Sequence, residues 1–269
     1  MSFFTRMIPC PAKRLARTWI ERISLERRLR RATPVLVFQM GKVASQSVYE
    51  SLWPQYPGVV VPSHSFFASH HDMRVRRLHR WAIADARALN VISLTREPVG
   101  RNVSAFFQCF ERETGVAHTD ARFSLDDLRS IFLSKYNHDL PLEWFDLNIQ
   151  ANFGIDVFAM PFPQEGVCVY ERSNVQLLVI RSEIADEAKS RAIGAFLGLP
   201  AFQLINTNIG EEKDYGGTYR AFKREIKLPT EYVERMCASK YFRHFYGDET
   251  RAAVRAKWEQ QAEPASRAP

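Results

Sequence analysis

An α/β fold, a parallel sheet flanked by helices in three layers, is predicted by three features of this 269-residue chain. Two short apolar runs, Val35–Phe38 and Asn90–Thr95, each end at a loop bearing a cation and lead into a helix-forming segment. A third run, Gly58 to Pro62, lies between them. Continuous apolar runs of this length suit strands buried on both faces, and strands that alternate with helices pair in parallel. With 46% hydrophobic residues the chain can bury one sizeable core.

The first run passes through Gln39-Met-Gly-Lys42 into a predicted helix over Ser45–Trp53. A helix start leaves backbone N–H groups unpaired and carries partial positive charge, so it attracts an anion. Lys42 adds a full charge, and Ser45 and Ser47 add hydroxyl donors. Gly41, Lys42, Val43, Ala44, Ser45, Gln46 and Ser47 therefore form a candidate oxyanion loop for a phosphate- or sulfate-bearing ligand. The magnesium-dependent NTPase loop is a different motif, because it needs Gly-Lys followed at once by Ser or Thr. Here Val43 follows Lys42.

Gly58-Val-Val-Val-Pro-Ser-His-Ser-Phe66 reads as the second parallel strand running into a loop, and residues 70–88 as a basic helical stretch. The strand at Asn90 ends in Arg96, and Glu97-Pro98 opens a helix reaching about Glu113. Proline suits a first turn and an acid suits the positive end. Arg101 and Ser104 share a face of this helix. A guanidinium at a strand end, with a serine further along the helix, can grip a second phosphate, which makes Arg96 and Ser104 the partners of the first loop.

Together the two segments resemble the paired signatures of PAPS-dependent sulfotransferases, which have a P-loop-like fold. The resemblance implies that Gly41–Ser47 hold the 5′-phosphosulfate of 3′-phosphoadenylyl sulfate (PAPS). It implies equally that Arg96-Glu-Pro-Val-Gly-Arg-Asn-Val-Ser104, read as Arg-x-Pro-x-x-Arg-x-x-Ser, holds the 3′-phosphate. Their spacing of roughly fifty residues fits a βαβ crossover and a further strand. Pro141-Leu-Glu-Trp-Phe-Asp146, Phe153-Gly-Ile-Asp-Val-Phe158, Leu177–Glu183, Phe196–Pro200 and Tyr241-Phe-Arg-His-Phe-Tyr246 are similar to elements of bacterial proteins named for capsular polysaccharide synthesis. The resemblance extends over about residues 34 to 250. It implies sulfuryl transfer from PAPS, as co-substrate, to a hydroxyl of a glycan or cell-surface polysaccharide precursor.

Ser124-Leu-Asp-Asp127 reads as a helix cap. The helical section 124–152, interrupted around Asn137 to Pro141, reads as an insertion covering the sheet edge. Val167–Tyr170 and Val175–Ile180, four residues apart, suggest a hairpin or adjacent strands. A helix over 184–197 closes at Gly198 and Pro200. Leu204 to Gly217 reads as a polar loop, 229–246 as the last helical section, and the chain after Gln260 as a frayed end.

Sulfuryl transfer needs a proton acceptor and stabilisation of the leaving phosphate. Lys42 suits the second task. The sulfuryl group is less charged than a phosphoryl group, so no metal is demanded, and no metal-ligand pattern is present in the sequence. His64 is the candidate base, since it follows the second strand at the edge where ligands collect. His138 and Glu143 are weaker candidates; His70 and His71 read as solvated. Asn206, Asn208, Lys213 and Tyr219 occupy the region where the resembled enzymes fold a late loop over the nucleotide, but nothing local selects among them. Arg181 reads as the ion-pair partner of Glu183, and Trp144 and Phe145 as core.

The charge of the chain is concentrated at one end. Residues 1–33 hold nine basic and two acidic residues, so their net +7 equals that of the whole chain. The other 236 residues are balanced, with 28 of each sign. Bulky apolar residues (Phe3, Phe4, Trp19, Ile20, Ile23) interleave with this charge. Either a helix packed on the domain or contact with an anionic membrane surface follows; no nucleic-acid module is recognisable. The division expected is a basic amphipathic segment 1–33, an α/β domain 34–250 and a tail 251–269. Four scattered cysteines, no signal-peptide pattern and no apolar run of spanning length lead to the expectation of a cytoplasmic protein, peripheral to the inner membrane face if the basic segment binds there. Two other functional classes stay open: a polysaccharide-assembly protein without catalysis, and a nucleotide kinase.

Overall fold

The central strands are rich in apolar residues because helices cover both faces of the sheet they form. A computed structural model describes residues 21–116, 123–205 and 216–259. Five strands, β1 (Val35–Phe38), β2 (Val60–Ser63), β3 (Leu89–Thr95), β4 (Val167–Arg172) and β5 (Val175–Arg181), lie in the order β2-β1-β3-β5-β4. The first four of these positions pair in parallel, with Val35 opposite both Val60 and Asn90, and Leu89 opposite Val175. Only β4 runs antiparallel, with Val167 opposite Ile180, because a two-residue turn at Ser173-Asn174 can reverse the chain without a crossover. Ser173 adopts φ 53° to make that turn. All four residues of β1 are buried, whereas the edge strand β4 is mostly exposed.

From β1 the chain crosses to β2 on one side and then returns to β3 on the other. This reversal makes the carboxyl ends of β1 and β3 the topological switch point, the place where open α/β sheets bind ligands. Helix α1 covers residues 21–29. It is followed by α2 (Ser45–Gln55), α3 (Met73–His79, continued by a π turn Arg80–Ala84) and α4 (Pro98–Thr114). Helix α5 (Leu125–Lys135) begins with the expected cap: the Asp127 N–H donates to Ser124 Oγ at 3.1 Å, and the Ser124 N–H to Asp127 Oδ2 at 2.9 Å. Helix α6 spans 140–153 with a π segment at Phe145–Gln150, and α7 is Asp186–Leu197. After α7 come α8 (Gly216–Glu225), α9 (Thr230–Ala238), α10 (Lys240–Phe245) and α11 (Asp248–Trp258).

Three expectations need correction. The section containing α5 and α6 packs over the middle of the sheet as well as near α4: Trp144 lies 5.0 Å from Phe38 at the end of β1, and Phe132 lies 5.4 Å from Phe106 of α4. Aromatic side chains long enough to reach the central strand draw these helices inward, so Trp144 and Phe145 are core residues. Helix α8 was missed because its polar sequence carries only two large apolar anchors, Tyr219 and Phe222, which pack against Phe107 at 5.4 and 5.2 Å. The boundary at 250 falls inside α11, whose Trp258 is 1% exposed and whose carbonyl accepts from Leu228 N at 2.7 Å. Helix α1 packs on the domain, one of the two readings open for the basic segment: Leu25 and Leu29 are buried, and Arg28 donates through Nε and Nη2 to the Gly58 carbonyl at 3.1 and 2.6 Å. Residues 1–20 lie outside the described residues.

Candidate functional site

The loop between β1 and α2 has a backbone that side chains seldom allow. Gly41, Lys42 and Ala44 have φ values of 81°, 62° and 61°. Left-handed φ at a non-glycine residue costs on the order of 1–3 kcal/mol and persists only where surrounding contacts impose it. Those contacts are visible. Gln39, 4% exposed, accepts from the Gly41 N–H at 3.2 Å through Oε1 and donates through Nε2 to Ser45 Oγ at 2.5 Å. Two arginines then take the loop carbonyls. Arg96 Nη1 donates to Lys42 O at 2.9 Å, Arg101 Nη2 to Met40 O at 2.8 Å, and Arg101 Nε to Gly41 O at 3.3 Å. Lys42 and Arg96 are therefore neighbours, and the two βα corners form one structure.

The second corner is itself anchored. Tyr241 of α10 accepts from the Arg96 N–H at 3.1 Å and donates to the Arg96 carbonyl at 3.0 Å. Glu97 caps α4, its carboxylate accepting from Val99 N at 3.0 Å and Gly100 N at 2.7 Å. A side chain at position 100 would collide with that carboxylate, since a Cβ there would lie 2.1 Å from Glu97 Oε1. Burial pushes the Glu97 carboxyl up to about 7, with the nearby Glu183 adding to the rise, against the opposing pull of the Arg96 charge and the Gly100 N–H. Glu183 accepts from Glu97 N at 2.8 Å and from Tyr246 OH at 3.3 Å. The expected Arg181–Glu183 pair does not form: Arg181 turns to the carbonyls of Gln164 and Phe245.

His64 follows β2 and sits above the loop. A Cβ at Gly41 would lie 3.4 Å from His64 Cε1, so only glycine combines this close approach with the φ found there. The imidazole Nδ1 lies 2.8 Å from the Gln39 carbonyl. A carbonyl can only accept, so Nδ1 carries the proton and the lone pair is on Nε2. The side chain is otherwise exposed, which leaves that lone pair open to an incoming acceptor.

The other candidates differ in burial and in partners. Ser45, Ser47 and Ser104 are buried, at 8%, 5% and 7% exposure, and Gln46 faces outward to bond Glu50 at 2.5 Å. Val43 is fully buried under the loop. His138 is held on both ring nitrogens, by the Phe132 carbonyl at 2.9 Å and the Tyr232 hydroxyl at 3.0 Å, and burial lowers its pKa. That makes it a core histidine and removes it as a base. Glu143 is exposed on α6. His70 is only 5% exposed and accepts from the Asp72 N–H at 3.0 Å, so it is a turn residue and is not solvated; His71 stacks on it at 4.2 Å. Tyr219 is a core residue, while Asn206, Asn208 and Lys213 fall outside the described residues. The segment entering that stretch is tied to α2 by the Ile205 N–H donating to Ser51 Oγ at 2.8 Å.

Residues 118–247 match the family model described as "Putative capsular polysaccharide synthesis protein". The matched stretch begins after α4, so it contains neither Gly41–Ser47 nor Arg96–Ser104. It does contain Tyr241 and Tyr246, whose hydroxyls pin the end of β3 at Arg96 and Thr95. No curated protein and no solved structure matches the chain.

Arg101 is the residue that sequence reasoning undervalued. It was legible as part of Arg-x-Pro-x-x-Arg-x-x-Ser, but its carbonyl partners, sixty positions away, were not. Among the described residues no carboxylate pairs with Arg96 or Arg101. Two arginines on the loop carbonyls, a strained loop and a helix start together suit a multiply charged anion.

Proposed function

We propose that this chain is a PAPS-dependent sulfotransferase acting on a hydroxyl of a glycan or cell-surface polysaccharide precursor. The observation that carries the reading is the 2.9 Å hydrogen bond from Arg96 Nη1 to the Lys42 carbonyl, which sets both anion-binding corners side by side. In this reading the loop and Lys42 hold the phosphosulfate, and Arg96 with Ser104 hold the 3′-phosphate. The acceptor hydroxyl gives its proton to His64 Nε2 as its oxygen bonds to sulfur. The bond between sulfur and the bridging oxygen breaks, and 3′-phosphoadenosine 5′-phosphate leaves with its added charge met by Lys42 and the loop N–H groups. The acceptor class rests on the family match at 118–247.

The reading includes a peripheral position at an anionic cytoplasmic membrane surface. Helix α1 turns Leu25 and Leu29 inward and leaves Arg22 and Arg27 exposed, as are Arg30 and Arg31 in the turn just after it, which suits attraction to charged lipid headgroups. Among the described residues no helix is long and apolar enough to cross a membrane.

Calorimetry with 3′-phosphoadenosine 5′-phosphate and with ATP plus magnesium, followed by mass spectrometry of polysaccharide incubated with PAPS, tests the reading. Tight binding of the bisphosphate and addition of sulfate to the glycan are expected. Preferential binding of magnesium-ATP points to a kinase instead. Binding of neither nucleotide points to an assembly role without catalysis.

A further inference from the structure

Three successive carbonyls, Met40, Gly41 and Lys42, all face arginines of the second corner. In a trans peptide the C=O and the following N–H point in opposite directions, and no peptide bond here is cis. The N–H groups of Lys42 and Val43 therefore point away from the guanidinium groups. The Gly41 N–H is taken by Gln39. The arginines thus orient the donors of a loop to which they contribute no donor of their own.

Arg101 does most of this. It is 3% exposed and spends four of its five N–H donors inside the protein: on Met40 O, Gly41 O, the Tyr136 hydroxyl at 2.9 Å and Asn102 Oδ1 at 3.0 Å. Every one of these partners is neutral. Among the described residues no carboxylate pairs with this buried guanidinium, so its positive charge is met there by neutral acceptors alone. It lies directly behind the loop, where the peptide dipoles carry its field toward the opposite side. The loop's unusual φ angles and this cation therefore have one common explanation.

We propose that Arg101 is a positioning residue for the anion loop: it locks the peptides of residues 40–42 in the orientation that binds an anion, and supplies charge from behind. This deepens the sulfotransferase reading by giving Arg101 a role other than that of a 3′-phosphate ligand. It also makes Tyr136, at the end of α5, part of the support of the loop.

The test compares wild type with Arg101→Met and Arg101→Lys, using inorganic sulfate and 3′-phosphoadenosine 5′-phosphate as probes in calorimetry and thermal melts of the full chain. Arg101→Met is expected to weaken both anions at least about tenfold, equivalent to about 1.4 kcal/mol, and to abolish the rise in melting temperature that the anions cause. Arg101→Lys keeps charge without the planar fork and is expected to recover only part of the affinity. If Arg101→Met does not fold, Tyr136→Phe, which removes one support of the guanidinium, is expected to lower anion affinity by a smaller factor. Wild-type affinity in whichever variants fold overturns the positioning role while leaving the sulfotransferase reading intact. Anion binding that depends on Arg101, without sulfuryl transfer in any assay, supports the positioning role and overturns that reading. Failure of the wild type to bind either anion overturns both.

Discussion

The imidazole of His64 is fixed by a hydrogen bond from Nδ1 to the Gln39 carbonyl at 2.8 Å. Gln39 also holds the anion loop, through Gly41 and Ser45. One residue thus sets both the tautomer of the candidate base and the shape of the loop below it. A base positioned by the same residue as the leaving-group site keeps its distance from the reacting centre constant.

From this arrangement, His64→Ala is expected to lower turnover by about 10²–10⁴-fold while leaving the affinity for 3′-phosphoadenosine 5′-phosphate unchanged. Added imidazole should restore part of the rate. A loss below tenfold in steady-state assays assigns the proton transfer to another group.

Lys42→Ala is expected to reduce sulfuryl transfer by at least about 10²-fold, because a donor aimed at developing charge is removed. Single-turnover measurements with saturating PAPS separate this from weaker binding. Near-normal transfer excludes Lys42 from the chemistry.

Glu97 makes stability depend on pH in a direction that can be worked out. Its carboxyl rises from the ordinary 4.5 to about 7 in the folded chain. Between these values the folded chain holds a proton that the unfolded chain has released, so stability falls as pH rises through this interval. Glu97→Gln keeps an oxygen for the helix cap but cannot titrate. Its melting temperature relative to wild type is therefore expected to climb between pH 5 and pH 8, and parallel melting curves across that range contradict the assignment.

Trp258 closes the core from the far end of the chain and is 1% exposed. Trp258→Ala is expected to cost about 3–5 kcal/mol in urea denaturation. Among the described residues its indole Nε1 has no hydrogen-bond partner, so Trp258→Phe should cost much less. Equal losses in the two variants would show that the ring edge, and not burial as such, is what matters.

Reversing the exposed charge of α1 and the turn after it with Arg27→Glu, Arg30→Glu and Arg31→Glu is expected to release the protein from anionic vesicles in a sedimentation assay, with bisphosphate binding unaffected. Unchanged sedimentation removes these arginines from any membrane contact.

Much of this molecule was legible in one dimension. β1 and β3 were readable because a strand buried on both faces selects mostly apolar side chains, with only small polar ones such as Ser93 and Thr95 between them. The caps at Glu97 and Ser124 were readable because they involve residues two or three positions apart. Helix α11 was not, since its apolar positions are sparse and only Val254 and Trp258 are buried. Nor were the true partners of Arg181 and His138, because a polar side chain in a core bonds whichever carbonyl the packing brings near, and sequence distance does not say which.

The chain by itself determined that a Gly-Lys loop follows one buried strand and that an Arg-Glu-Pro turn follows another, since periodicity and turn chemistry are local properties. Only the tertiary structure decided that Arg96 and Arg101 grip the carbonyls of Met40, Gly41 and Lys42, and that His64 presents Nε2 outward. Strand order sets those contacts: β1 lies between β2 and β3, which brings three loops distant in sequence to one end of the sheet.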